Sequence, residues 1–218
     1  MTAERATGFV LRVHPLTETS LIAHWLTADH GRIATVARGA RRPKSPFRGK
    51  LDLFYLCDFS FSRSRRSDLH TLREIQLRRA PAALREDLDR LHQAVYAARL
   101  IERASEPETP VPGLYALMEE LVETLCGPPP RGMTVIAFEV RLLQELGLSP
   151  NLASARLSPR ARHLLAQFRE MGLPQVAALS IAPEQIREME TYLAAFLEEH
   201  VGRLPENRGV ALSPQPPP

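Results

Sequence analysis

Two hydrophobic rhythms divide this chain, and the change between them falls at Pro81. Upstream, apolar residues form short alternating or clustered runs between turn formers; downstream they recur every three or four residues. The first rhythm predicts strands over residues 8–13, 19–27, 32–38, 51–61 and 69–77, with a turn at Ala28, Asp29, His30 and Gly31. Five strands within about 70 residues, one long loop and one short polar loop suit a small closed barrel. An OB-fold is the commonest five-stranded solution, and an SH3-like barrel fits the same count. The second rhythm starts where Pro81 can occupy a first helical turn and runs through Leu84, Leu88, Leu91, Val95 and Ala98. Further helices are predicted over 113–125, 133–146, 158–171 and 183–201. Gly147 and Gly172 serve as stops, and Ser158 followed by Pro159 as an N-cap start. Residues 106–112 read as a linker-like break. The fold class is therefore α+β, with a barrel over 1–80, an all-helical domain over 81–205, and a disordered Pro-rich tail over 206–218.

Charge follows the same division. Residues 1–80 hold 15 Lys+Arg against 7 Asp+Glu, an excess of +8; the remaining 13 and 18 leave −5. Arginine-rich genome composition would raise the total without concentrating the surplus in the first third. A basic front implies a polyanionic partner. Its densest part holds Arg38, Arg41, Arg42, Lys44, Arg48 and Lys50 with no acid among them, while Gly39, Pro43, Pro46 and Gly49 make it a loop. If roughly five of these cations met single-stranded DNA, log K would change by about −3.5 per decade of salt. Arg32 and Arg38 share one strand face by alternation and would extend the patch. Arg63, Arg65 and Arg66 form a second cluster in the loop between strands four and five. In an OB-fold, strands two and three and the 1–2 and 4–5 loops make the usual nucleic-acid face. Trp25 and Phe47 are the candidates for base stacking, although Trp25 equally suits a barrel core.

Nothing here reads as an enzyme. His14, His24, His30, His70, His92, His163 and His200 form no spaced set with carboxylates. There is no phosphate-binding glycine loop and no nucleophile elbow, and Cys57 lies in an apolar strand without a base. Cys57 and Cys126 are too few for a disulfide framework or a zinc site, so neither metal nor cofactor is expected. A polar start over residues 1–7 and the lack of an apolar run of about 20 residues point to a cytoplasmic protein without a signal peptide.

Several stretches together resemble the RecO family. They are Gly8-Phe9-Val10-Leu11-Arg12 with Thr17-Glu18-Thr19-Ser20-Leu21, then Leu26-Thr27 to Gly31-Arg32-Ile33 and Val36 to Arg42. Leu51-Asp52-Leu53-Phe54, Leu72-Arg73-Glu74, and Glu139 to Leu143 leading into Leu146-Gly147-Leu148-Ser149-Pro150 follow in the same order. The resemblance implies an N-terminal OB-fold followed by a helical domain. It also implies a nucleoid-associated, non-enzymatic repair and recombination mediator that binds single- and double-stranded DNA and anneals complementary strands. Its implied partners are RecR, the C-terminal tail of single-strand-binding protein and, indirectly, RecA, with no membrane. Arg141, Arg160 and Arg162 are the candidates for the tail-binding surface. One departure is plain: many members carry a cysteine-rich zinc-binding insertion after the Gly-Leu-Ser-Pro turn, and residues 148–158 here contain no cysteine. Two other readings fit the residues themselves, namely an RNA-binding or ribosome-associated OB protein, and a helical scaffold whose barrel binds protein.

Overall fold

The computed structural model describes residues 3–128, 132–153 and 155–213. They fall into two compact units: Met1–Pro81 with Ser105–Tyr115, and Ala82–Ala104 with Ala116–Pro218.

In the first unit, β1 (Ala3–Pro15), β2 (Leu21–Thr27), β3 (Gly31–Ala37), β4 (Leu56–Ser62) and β5 (Leu69–Arg79) close a barrel in the order β1-β2-β3-β5-β4. Closure comes from a short parallel pairing of Ala34–Val36 with Leu69–Thr71, which selects the OB arrangement over the SH3-like one. Strand β1 starts earlier than its apolar run suggests. Its polar first residues pair with β4 from Ala3–Ser62 to Phe9–Leu56, and its later ones pair with β2. Between these pairings, Val10 turns its N–H to Tyr55 O and its carbonyl to Phe54 N, and the β1–β2 register slips there. That exchange also explains why β4 begins at Leu56 and not at 51: Phe54 sits at φ 63°, a turn conformation that no strand continues.

Alternation puts Ala23 and Trp25 of β2, Ile33 of β3, Cys57, Phe59 and Phe61 of β4, and Leu72 and Ile75 of β5 inside. Trp25 stacks on Phe59 with centroids 4.1 Å apart and donates its indole N–H to Thr35 Oγ1 at 2.8 Å, so the barrel's largest side chain is fully satisfied.

Residues 106–112, expected to be a linker, are instead part of a strap on this barrel. Arg32 forms an isolated parallel bridge with Pro107, and Glu108 N–H bonds Arg32 O at 2.8 Å. Gly31 is in the left-handed region at φ 63°, and a Cβ there would sit 2.3 Å from Thr109 O. Only glycine allows both the turn and the close approach.

The second unit contains α1 (Ala83–Glu86), α2 (Leu88–Ala104), α4 (Gly132–Glu145), α5 (Pro159–Phe168), α6 (Leu173–Ala177), α7 (Pro183–His200) and α8 (Arg208–Leu212), with α3 (Pro112–Leu125) entering from residue 116. Helix α4 is its axis. Residues 132–140, Leu142 and Leu143 are all buried, and α2, α5, α6, α7 and α8 pack around it. Ser158 caps α5 as expected, accepting from Ala161 N at 3.3 Å. The helix ends at Phe168, however, and Gly172 precedes α6 and does not close α5.

The tail expectation needs correcting for residues 206–213. Arg208–Leu212 forms α8, with Ala211 and Leu212 buried, while residues 214–218 lie outside the described part. A five-residue helix cannot support itself. Gln93 Nε2 bonds Ala211 O at 3.1 Å, Asn207 Nδ2 bonds His92 O at 3.3 Å, and Arg208 reaches Glu139. Gly132 makes room for α8, since a Cβ there would lie 2.1 Å from Leu212 O. Gly132→Ala must therefore push backbone away from backbone. It should cost about 1–3 kcal/mol in urea unfolding, where a helical substitution in open space would be neutral or favourable.

Candidate nucleic-acid interface

The β3–β4 loop is built as a ridge. Backbone bonds from Ala40 to Ala37, Arg42 to Gly39, Ser45 to Arg42, Arg48 to Ser45 and Lys50 to Phe47 make it a succession of tight turns. Arg41 N–H bonds Thr19 O at 3.0 Å, tying the ridge to the β1–β2 turn. Phe47, 8% exposed, and Ala40 sink into the barrel core and anchor it. A rigid base with cations on its crest is the consequence: Arg38, Arg41, Arg42, Lys44 and Arg48 are all exposed.

Beside the ridge lies an open cleft of about 750 Å³, bordered by the β1–β2 turn, the ridge and the β4–β5 loop. Arg38 and Arg42 line it from the ridge, and Arg63, Arg65 and Arg66 line it from the β4–β5 loop. The two basic clusters, separate in sequence, thus border one space. No carboxylate is among its lining residues, and Thr17, Ser20, Ser62, Ser64, Ser67 and Thr71 supply hydroxyls. The charge pattern alone does not single out these hydroxyls, although the alternating Ser and Arg of residues 60–67 are visible in the sequence. Guanidinium forks and hydroxyl donors without a negative charge are a phosphate-binding chemistry.

Five expectations change. Trp25 is 0% exposed and bonded to Thr35, so it cannot stack on a base without dismantling the core. Phe47 is the ridge's anchor for the same reason of apolar burial. Arg32 does not extend the Arg38 surface. Its guanidinium bonds the Ser105 hydroxyl at 2.9 Å and the Ser105 carbonyl, because the strap covers its side of β3. Lys50 is held by Ile75 O at 3.2 Å. Arg63 lines the cleft but is already engaged: Glu4 accepts from its Nε at 2.9 Å and Glu108 pairs with its Nη1. The bond from Arg63 holds the Glu4 carboxyl below its ordinary range, and Glu4 raises Arg63 in turn. Arg63 is thus a brace whose charge is balanced within the barrel, leaving Arg65 and Arg66 as the exposed pair of that loop.

On another face, His24 stacks on His14 with centroids 5.2 Å apart and lies 3.4 Å from Arg12. Burial first, then Arg12, His14 and Arg32, depress its pKa to about 4. The unfolded chain, near 6.5, takes up that proton first. The stability associated with neutral His24 is therefore complete above about pH 6.5 and is lost as pH falls towards 4. His24→Gln should flatten the acid side of a stability–pH curve between those limits, read by urea unfolding; an unchanged curve would remove His24 from the account.

In the helical unit the three arginines expected to face a partner's tail, Arg141 on α4 and Arg160 and Arg162 on α5, differ in how they are engaged. Arg141 pairs with Glu120 at 2.5 Å, Arg162 bonds the carbonyls of Ala155 and Leu157 at 3.3 Å, and Arg160 is exposed. Among the described residues no group of three or more His, Cys, Asp or Glu side chains could hold a metal. Residues 148–158, where the resemblance would place a zinc-binding insertion, contain neither cysteine nor histidine. No helix among the described residues is long and apolar enough to cross a membrane.

Two family models match in succession along the chain. The family model "Recombination protein O N terminal" matches residues 1–81, and "Recombination protein O C terminal" matches 85–155 and 153–208. A "DNA repair protein RecO" of Anaeromyxobacter dehalogenans strain 2CP-1 is 31% identical over 237 residues, covering 93% of each chain. The "DNA repair protein RecO" of Bacillus subtilis strain 168 is 33% identical over 228 residues, covering 89% of this chain and 88% of its own. With both family models matched in order along nearly the whole length, this chain belongs to the RecO family of DNA repair proteins.

Proposed function

We propose that this protein binds DNA through the basic ridge and cleft of its barrel and anneals complementary strands. With RecR it would help replace single-strand-binding protein by RecA at single-stranded gaps, acting in the cytoplasm on the nucleoid. The observation that carries the reading is the cleft bordered by two arginine clusters with hydroxyls and no carboxylate. Such a surface neutralises phosphates by counterion release and places no demand on base sequence. With Trp25 and Phe47 buried, affinity rests on the backbone and not on stacking. Annealing needs two strands relieved of mutual repulsion and brought together, which is binding work; the reading requires no catalytic group. The partner steps rest on family membership, and Arg160, exposed in the helical unit, is the first residue to substitute for the tail of single-strand-binding protein.

The test is annealing of complementary labelled DNA strands, bare and coated with single-strand-binding protein, beside RNA strands of the same sequence. Acceleration of both DNA reactions supports the reading. Acceleration confined to RNA would favour a ribonucleoprotein role, and no acceleration at all would overturn strand annealing.

A further inference from the structure

The arginines of the ridge are divided between two clefts. Arg38 and Arg42 line the larger one, facing Arg65 and Arg66. Arg41 and Arg48 line a second, separate cleft of about 360 Å³, whose remaining walls include Leu21, Pro43 and Phe47. The two linings share no residue, and neither contains a carboxylate. Between them stands backbone that is bonded turn by turn, tied to Thr19 and sunk into the core at Phe47. A flexible basic loop would collapse around one polyanion; this one is fixed, so its arginines cannot all converge on the same strand.

We propose that the ridge holds two DNA single strands at once, one in each cleft. This rests on the DNA-binding reading above and adds how annealing would be achieved. Two strands in solution repel each other and must meet by diffusion. Held on one ridge, their phosphates are neutralised by separate arginine pairs, and the encounter of their bases becomes intramolecular at a high effective concentration. Leu16, Val36 and Leu69 wall one cleft and Leu21 and Leu51 the other, where Phe47 is sunk into the core at 8% exposure, so bases are left unstacked and free to pair with the neighbouring strand.

The experiment is a fluorescence titration of the full-length protein with a labelled oligothymidylate of about 10 nucleotides, a length suited to one OB-fold site. It is run on the wild type, on Arg38→Ala with Arg42→Ala, and on Arg41→Ala with Arg48→Ala, and paired with an annealing assay. The wild type should bind two oligonucleotides per chain and each double variant one. Annealing should fall by at least about tenfold in both variants, because losing either site returns the reaction to a bimolecular encounter. The corresponding Arg→Lys pairs should restore the second equivalent, which separates charge from any loss of folding. One equivalent on the wild type with annealing intact would overturn the two-strand arrangement and leave the DNA-binding reading standing. A double variant that keeps two equivalents would overturn it as well. No binding by the wild type would overturn both.

Discussion

Glu139→Ala should destabilise the helical unit by about 3–5 kcal/mol, because it strands a buried cation. Glu139 is 0% exposed on the axis helix α4 and receives Arg208 Nε at 2.7 Å, Arg208 Nη2 at 2.8 Å and the Tyr96 hydroxyl at 2.5 Å. Burial opposes the charge of Arg208, and the bonds from Glu139 outweigh that penalty and raise its pKa. Burial and then the Glu139 charge raise the Tyr96 phenol too, so it remains a donor. Removing the carboxylate takes the acceptor from Arg208 Nε and Nη2 and from the Tyr96 hydroxyl, and leaves Arg208 only the Glu190 carbonyl at 3.2 Å to Nη2. The helical signal at 222 nm should melt roughly 10–20 °C lower. Arg208→Ala should follow the same direction, and a combined Glu139→Leu, Arg208→Met variant should recover much of the loss, since a packed apolar pair replaces a buried ion pair with little penalty. A Glu139→Ala variant melting within a degree or two of the wild type would show that the triad does not hold α8 on α4.

The second large effect lies on the ridge. Replacing Arg41, Arg42 and Lys44 together with alanine removes three exposed cations and touches no core contact. About 0.7 of a counterion is released per single-strand phosphate, so the salt slope should shrink by roughly 2 per decade. Extrapolated to 1 M, where that contribution vanishes, the loss at 0.15 M salt is about 50-fold in single-strand affinity. Annealing should weaken further, since Arg42 and Arg41 belong to different clefts. The thermal midpoint should be unchanged, because exposed surface cations contribute little to stability. Full binding by this variant would remove the ridge from the interface and leave the helical half as the place to look.

What the sequence could and could not disclose follows from the range of the interactions involved. Strand and helix periods are local, so the change of rhythm at Pro81 marks where strands give way to helices, and the excess of arginine over residues 38–50 was plain from composition. Burial of Trp25 and Phe47 was not, since an aromatic beside arginines reads equally as a stacking platform until the β2–β3 and β3–β5 pairings close the barrel around it. The strap was hidden for a similar reason. Pro107, Pro110 and Pro112 look like a linker, and its role rests on bonds to Arg32 some 73 residues earlier in the chain. Helix α8 carries a glycine and is five residues long, so no local preference announces it; Glu139 and the gap at Gly132 do. The division of the ridge's arginines between two clefts depends on the direction of successive turns, which spacing alone does not set.

The most direct test of the central claim is the salt dependence of wild-type binding to single-stranded DNA. If five to seven exposed cations of the ridge and the β4–β5 loop meet phosphates, log K against log salt should fall with a slope of roughly −3.5 to −5. A slope near zero, with affinity unaffected by salt, would contradict a phosphate-binding barrel whatever the cleft's shape.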